Sequence, residues 1–227
     1  MAYDLLIGQK SYSSWSLRGW LAFAAFDIPV TLHSAEIYGE TFQADVMRFG
    51  GNATVPAVRT PEGGLLTDSI AIAWHLADAF PDRGLLPSKP VDRAEAQSII
   101  AEMHSGFTAL RAACPCNLRT AWAGFQPSDA VLADVARAEI IWTRALDRSG
   151  GPFLYGAFTL ADAFYAPLAT RLLTYGLPMS DTAHGYVKAI TTHPAFLDWR
   201  AEGLKEEAEI ARYDKAPLKR VPFPTFG

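Results

Sequence analysis

A proline where a strand should begin constrains this chain more than any other feature. Thr54-Val55-Pro56-Ala57-Val58 lies between a polar loop and a short run, 57–59, that reads as a strand. Proline has no N–H and is kept out of central strands. A cis Val55–Pro56 bond would turn the chain sharply and leave the N–H and C=O of Val55 facing outward, able to pair with an extended peptide. Ten residues after Val58, Asp68-Ser69 opens an apolar helix. There an acceptor and a hydroxyl meet the free N–H groups and the positive end of a helix, a setting that holds a carboxylate. A backbone clamp beside a carboxylate site suggests a small acidic peptide as ligand.

Taken separately, a Val-Pro pair is an ordinary turn and Asp-Ser an ordinary cap; their surroundings make them informative. Residues 3–8 (YDLLIG) form one apolar run, long enough for a buried strand. A serine-rich loop follows, and from Ser14 a helix begins, with Leu17, Trp20, Leu21, Ala24 and Ala25 on one face. Ile28-Pro29 ends it. A second strand is expected at 30–35, a short helix at 42–48, and two strands at 57–59 and 65–67 joined by Pro61-Glu62-Gly63-Gly64. A helix at 69–80 buries Ile72, Leu76 and Ala79. The order βαβαββα, with a proline before the third strand, is thioredoxin-like.

The rest reads as helical. The stretch 82–91 has the Pro, Gly and charge content of a linker between residues 1–81 and 92–227. One helix is expected from a cap at Asp92 to Ala113, broken by Pro115. Others are expected at 130–148, at 160–175 behind the capping-box variant Thr159-Leu160-Ala161-Asp162, at 182–192 and at 194–207. The tail from Ala216, with three prolines, reads as irregular. The expected fold class is therefore α/β plus all-α.

Three segments, SYSSWSLR at 11–18, TVPAV at 54–58 and TDSIAI at 67–72, resemble the glutathione transferases in order and spacing. The first looks most like the serine-type branches, particularly the zeta class and related bacterial enzymes. The resemblance covers the whole chain and implies glutathione as co-substrate, a small electrophile as second substrate, a homodimer, and a role in detoxification. It implies that Ser11 meets the glutathione sulfur, with Ser13 the next candidate and Ser14 a plain N-cap. It carries over Val55 as the clamp for the cysteinyl unit and Asp68 and Ser69 as holders of the γ-glutamyl end. Thr54 and Lys10 are candidates for the glycine carboxylate. The zeta pattern has a second serine where Tyr12 stands and a cysteine where Ser13 stands. Mixed-disulfide chemistry is therefore not expected, and the isomerase activity of zeta enzymes is the alternative rather than the first reading. A non-catalytic module of the same fold is the rival from another class.

The chemistry such a site must perform is thiol activation. A free thiol ionises near pH 8.5, and each unit of lowering needs about 1.4 kcal/mol of preference for the thiolate. A serine hydroxyl and the start of a helix can both contribute. The second substrate would meet His104, Phe107 and Arg111 on the first long helix of the helical part. Of these, Phe107 (like Met103) reads better as core, while His104 and Arg111 suit a polar or anionic electrophile. Arg18 reads as a structural ion-pair partner.

Composition excludes other classes. Half of the 227 residues are apolar and the net charge is −4, which argues against disorder and against nucleic acid as a partner. No apolar run reaches the length of a membrane span. No export signal is read at the N-terminus, so a cytoplasmic setting is expected. Cys114-Pro115-Cys116 has the wrong spacing for a C-x-x-C redox pair, and the five histidines form no metal-binding pattern, so free thiols and no metal are expected.

Overall fold

The apolar run at the N-terminus is the middle of a sheet because both its faces are buried. In the computed structural model, which describes residues 2–205 and 209–226, β1 (Tyr3–Ile7) pairs in parallel with β2 (Val30–Ser34) and antiparallel with β3 (Ala57–Arg59). Antiparallel β4 (Leu65–Leu66) completes the order β2-β1-β3-β4. Leu5 and Ile7 enter the main core with Leu17 and Leu21 of α1 (Ser14–Ala24) and Ile72 and Leu76 of α3 (Ser69–Ala79). Leu6 points the other way, into a smaller cluster with Val46 and Phe49 of α2 (Phe42–Phe49). Helices thus cover both faces, as a parallel pair requires. This is the expected βαβαββα unit, and the Val55–Pro56 bond is cis.

The helical part comprises α4 (Pro90–Ser105), α5 (Thr108–Ala113), α6 (Asp129–Ser149), α7 (Leu160–Tyr175), α8 (Asp181–Thr191) and α9 (Pro194–Leu204). Every residue of α7 is buried, and it packs against α1, α4 and α8. The capping box is formed. Asp162 Oδ2 accepts from Thr159 N (2.8 Å) and Thr159 Oγ1 (3.0 Å), and Oδ1 accepts from Leu154 N (3.0 Å) and Tyr186 Oη (3.1 Å). Among the described residues no helix is long and apolar enough to cross a membrane.

Four expectations are corrected. The break after α4 falls at Gly106-Phe107, not Pro115: Phe107 takes a left-handed φ of 55°, and a Cβ on Gly106 would stand 2.7 Å from the Glu102 carbonyl oxygen. The cap of α4 is Lys89 with Pro90 at the first helical position; Asp92 instead pairs with Arg148. The tail is not irregular, because β6 (Lys219–Pro222) pairs antiparallel with β5 (Thr120–Ala123), adding a two-stranded ribbon to the helical part. The cap of α1 is Ser13, not Ser14. Of the helix expected at 194–207, Glu206 and Glu207 lie outside the described residues.

Candidate active site

A cleft of about 520 Å³ separates the sheet unit from the helical part. Its first wall is the loop into α1, with Tyr12, Ser13, Ser14 and Trp15. A second is the Thr54–Pro56 turn with Thr67, Asp68 and Ser69, and a third holds Ile37, Tyr38 and Phe42. The helical part contributes Arg111, Pro115, Cys116 and Arg171, and the C-terminal segment Tyr213.

The serines of the first loop divide by task. Ser11 is buried outside the cleft lining; its Oγ donates to the Gly203 carbonyl (2.9 Å) and its own carbonyl accepts from Leu118 N. A Cβ on Gly203 would lie 2.9 Å from that hydroxyl, so the pair is a close fit between loop and α9. Ser13 lines the cleft, but its Oγ accepts from Ser16 N (3.2 Å) and donates to Ser16 Oγ (2.7 Å). Ser14 is half-buried at the first helical position, lines the cleft, and accepts a long 3.5 Å contact from Arg171 Nη2. A hydroxyl carries one donor hydrogen and two acceptor sites, so accepting from Arg171 leaves the Ser14 hydrogen available. No acidic residue lies in the first turn of α1, and its positive end faces the cleft uncancelled.

At the other helix start, Asp68 caps α3 by accepting from Ile70 N through Oδ1 (2.7 Å), while Oδ2 stands 3.6 Å from His104 Nε2. Ser69 is buried, and its Oγ has no hydrogen-bond partner among the described residues. An orphaned buried hydroxyl is costly unless something fills its need, and here it borders the cleft. Thr54 is exposed, with its hydroxyl donating to the Asn52 carbonyl (3.4 Å). Lys10 does not line the cleft.

Three arginines gather where α1 meets the helical part. Arg111 Nη1 donates to the carbonyls of His104 and Gly106 (3.1 Å each), and its guanidinium lies 4.8 Å over Trp15. Arg171 donates to the Cys114 and Pro167 carbonyls. Arg18 forms no ion pair among the described residues, against the sequence reading. It is stacked 4.4 Å from Trp15 and 5.2 Å from Phe164, with Nε and Nη1 unpartnered, and burial with its two arginine neighbours pulls its pKa down to about 9. Burial lowers the pKa of Arg111 too, and that of His104, which stays neutral near pH 7 despite Asp68. A second opening shares Ser14, Trp15, Arg111 and Arg171 with the main cleft and adds His104 and Thr108.

The structure therefore brings Ser13, Val55, Thr54, Asp68, Ser69 and Arg111 to one cleft and His104 to the adjoining opening. Phe107 is not there; it is buried edge-on against Tyr165, as core. The sequence reading missed Arg171 and Tyr213. A lone arginine in a mostly apolar helix, beyond its capping Asp162, was the available signal for the first; none marked the second. Cys114 and Cys116 are free, and burial pushes the Cys114 thiol up to about 12 and raises that of Cys116, so neither is a ready nucleophile.

Residues 12–79 match the family described as glutathione S-transferase, N-terminal domain. A probable maleylacetoacetate isomerase of Caenorhabditis elegans is 26% identical over 195 residues, 83% of this chain and 88% of that one. The maleylacetoacetate isomerase of Pseudomonas aeruginosa is 32% identical over 116 residues, 50% of this chain and 54% of the other. Among solved structures, a glutathione transferase homolog from Burkholderia with bound glutathione superposes with a TM-score of 0.70 at 18% identity, covering 91% of this chain and all (100%) of that one. Residues 12–79 thus carry a glutathione S-transferase N-terminal domain, and 91% of the chain follows the fold of a glutathione transferase homolog.

Proposed function

We propose that this protein binds glutathione in the cleft, ionises its thiol beside Ser14, and adds it to an anionic electrophile. The observation that carries this reading is that a buried hydroxyl with no partner among the described residues, Ser69 Oγ, and an available one, Ser14 Oγ, line the same cleft as the Val55–Pro56 turn. An extended glutathione has needs at those positions. Its γ-glutamyl carboxylate suits Ser69 and the start of α3, its amino group suits Asp68, and its cysteinyl backbone suits the N–H and C=O of Val55. The thiol then falls at the start of α1, where the Ser14 hydroxyl and the helix end favour a thiolate. Ser11, buried against Gly203, acts as a structural tie instead.

The electrophile side of the cleft is cationic. Arg111 and Arg171 line it, and Arg18 stacks on Trp15 with no carboxylate partner among the described residues. This favours an acid as second substrate, and it supports a second reading. Addition of the thiolate to the conjugated double bond of an unsaturated acid, rotation, and loss of the thiolate would isomerise the acid and regenerate glutathione. That is the class of reaction named for the maleylacetoacetate isomerases to which the chain is similar. A reducing cytoplasmic setting suits the two free thiols. Assembly of two copies through the face of α4 and α6, and a role in detoxification, belong to the same reading.

The test is a pH titration of the glutathione complex followed by thiolate absorbance, with turnover measured on chlorodinitrobenzene and on maleylacetoacetate. Ser14→Ala is expected to raise the bound thiol pKa by about one unit and cut turnover about tenfold, the value of one hydrogen bond to a charged group. Ser11→Ala is expected to leave that pKa unchanged. An unshifted thiol in the unmodified protein would favour the non-catalytic module, and absence of glutathione binding would remove the reading altogether.

A further inference from the structure

The glutathione reading leaves one end of the ligand without a cation. If the γ-glutamyl end lies at Asp68 and Ser69 and the cysteinyl unit at Val55, an extended chain advancing about 3.3 Å per residue carries the glycyl carboxylate to the far side of Val55. That region is walled by Ile37, Tyr38, Phe42 and Thr54. No Lys, Arg or His lines the cleft from the sheet unit among the described residues; Arg111 and Arg171 stand at the opposite, thiol end, with Ser14 and Trp15.

The C-terminal segment supplies what is missing. It leaves α9 at a firmly held point, where the Gly203 carbonyl accepts from both Ser11 Oγ and Arg119 Nη1 (2.9 Å each). It is held again downstream by the β5–β6 ribbon and by Arg220 over Trp122. Between these anchors lies the 3-10 turn Ala211–Tyr213, whose Tyr213 lines the cleft. The Tyr213 ring packs 4.8 Å from that of Tyr12 and 6.4 Å from that of Tyr38. Beside it, Arg212 places its guanidinium 4.9 Å over the Tyr38 ring. Arg212 is exposed, and no carboxylate pairs with it among the described residues. A guanidinium parked on an aromatic face at low cost can exchange that contact for a carboxylate.

We propose that Arg212 binds the glycyl carboxylate of glutathione, so that the C-terminal segment, clasped to Tyr38 through Tyr213, completes the glutathione subsite from the helical part. The inference rests on the glutathione reading. It assigns the ligand's two ends to different parts of the chain: γ-glutamyl to the start of α3, glycyl to the C-terminal segment.

The experiment compares binding of glutathione with binding of γ-glutamylcysteine, which keeps the thiol and the γ-glutamyl end and moves the carboxylate to the cysteinyl position. Arg212→Met is expected to weaken glutathione about tenfold, the worth of one charge-assisted bond, and to leave γ-glutamylcysteine unchanged. Arg212→Lys is expected to recover part of the loss. Equal weakening of both ligands, or of neither, overturns the inference while leaving the glutathione reading intact. Failure of the unmodified protein to bind either ligand overturns both.

Discussion

Within eight residues, Ser11 to Arg18, three serines and an arginine do four different jobs, and local geometry decides which. Ser11 faces α9 and is taken up by a carbonyl; Ser13 precedes the helix and caps it; Ser14 begins the helix and faces the cleft; Arg18, one turn on, points inward. Burying a guanidinium without a carboxylate costs several kcal/mol, only partly offset by stacking on Trp15 and Phe164. Replacing it by an apolar side chain of similar length is therefore expected to stabilise the fold. Arg18→Met should raise the denaturation free energy by about 1–4 kcal/mol. The same change removes a positive charge one turn behind Ser14, so the thiol pKa of bound glutathione should rise. A fall in stability measured by urea unfolding would show that the two ring contacts outweigh desolvation.

At the scale of elements, α7 organises the molecule, and Asp162 fixes where it starts. Its carboxylate accepts four hydrogen bonds, yet complete burial pushes its pKa up to about 6, from a usual value near 3.8. An acid whose folded pKa is raised is penalised when ionised. The penalty is absent below the unfolded value and fully present above the folded one, so stability should fall as pH rises from about 4 to about 6. Two units correspond to about 3 kcal/mol at most. Asp162→Asn should flatten that slope, whereas Asp162→Ala, which orphans Leu154 N, Thr159 N and Tyr186 Oη, should cost about 3 kcal/mol or more at any pH. A pH-independent unfolding curve for the unmodified protein between those values would refute the assignment. The start of α7 was legible because a capping box is a local pattern: its partners lie within three residues. The break at Gly106-Phe107 was not, since the helical spacing of Met103, Phe107 and Arg111 runs straight through it, and only packing of Phe107 on Tyr165 shows why the chain turns there. The β5–β6 ribbon was hidden for the same reason, its strands being paired across about a hundred residues of helix.

For the whole molecule, what could be read from sequence was the half of the cleft built by contiguous segments: the first loop, the Val55–Pro56 turn and the start of α3. The other half comes from side chains far away in the chain, Arg171 against Ser14 and Tyr213 against Tyr12, and no spacing rule encodes such distances. One exposed face of the helical part sets an expectation about assembly. The face of α4 and α6 carries alternating charges locked in pairs, Arg137–Glu102 and Arg144–Glu95, around Ile140, which is 60% exposed. An isoleucine presented to solvent among paired charges suits a self-complementary contact between two copies. Sedimentation should then give about twice 24.7 kDa for the unmodified protein, and Ile140→Glu should shift it toward the single-chain mass at low concentration. If one copy supplies the whole cleft, the dissociated variant should still bind glutathione with unchanged affinity. A single-chain mass for the unmodified protein would dismiss the assembly, and loss of glutathione binding on dissociation would mean that a partner completes the site after all.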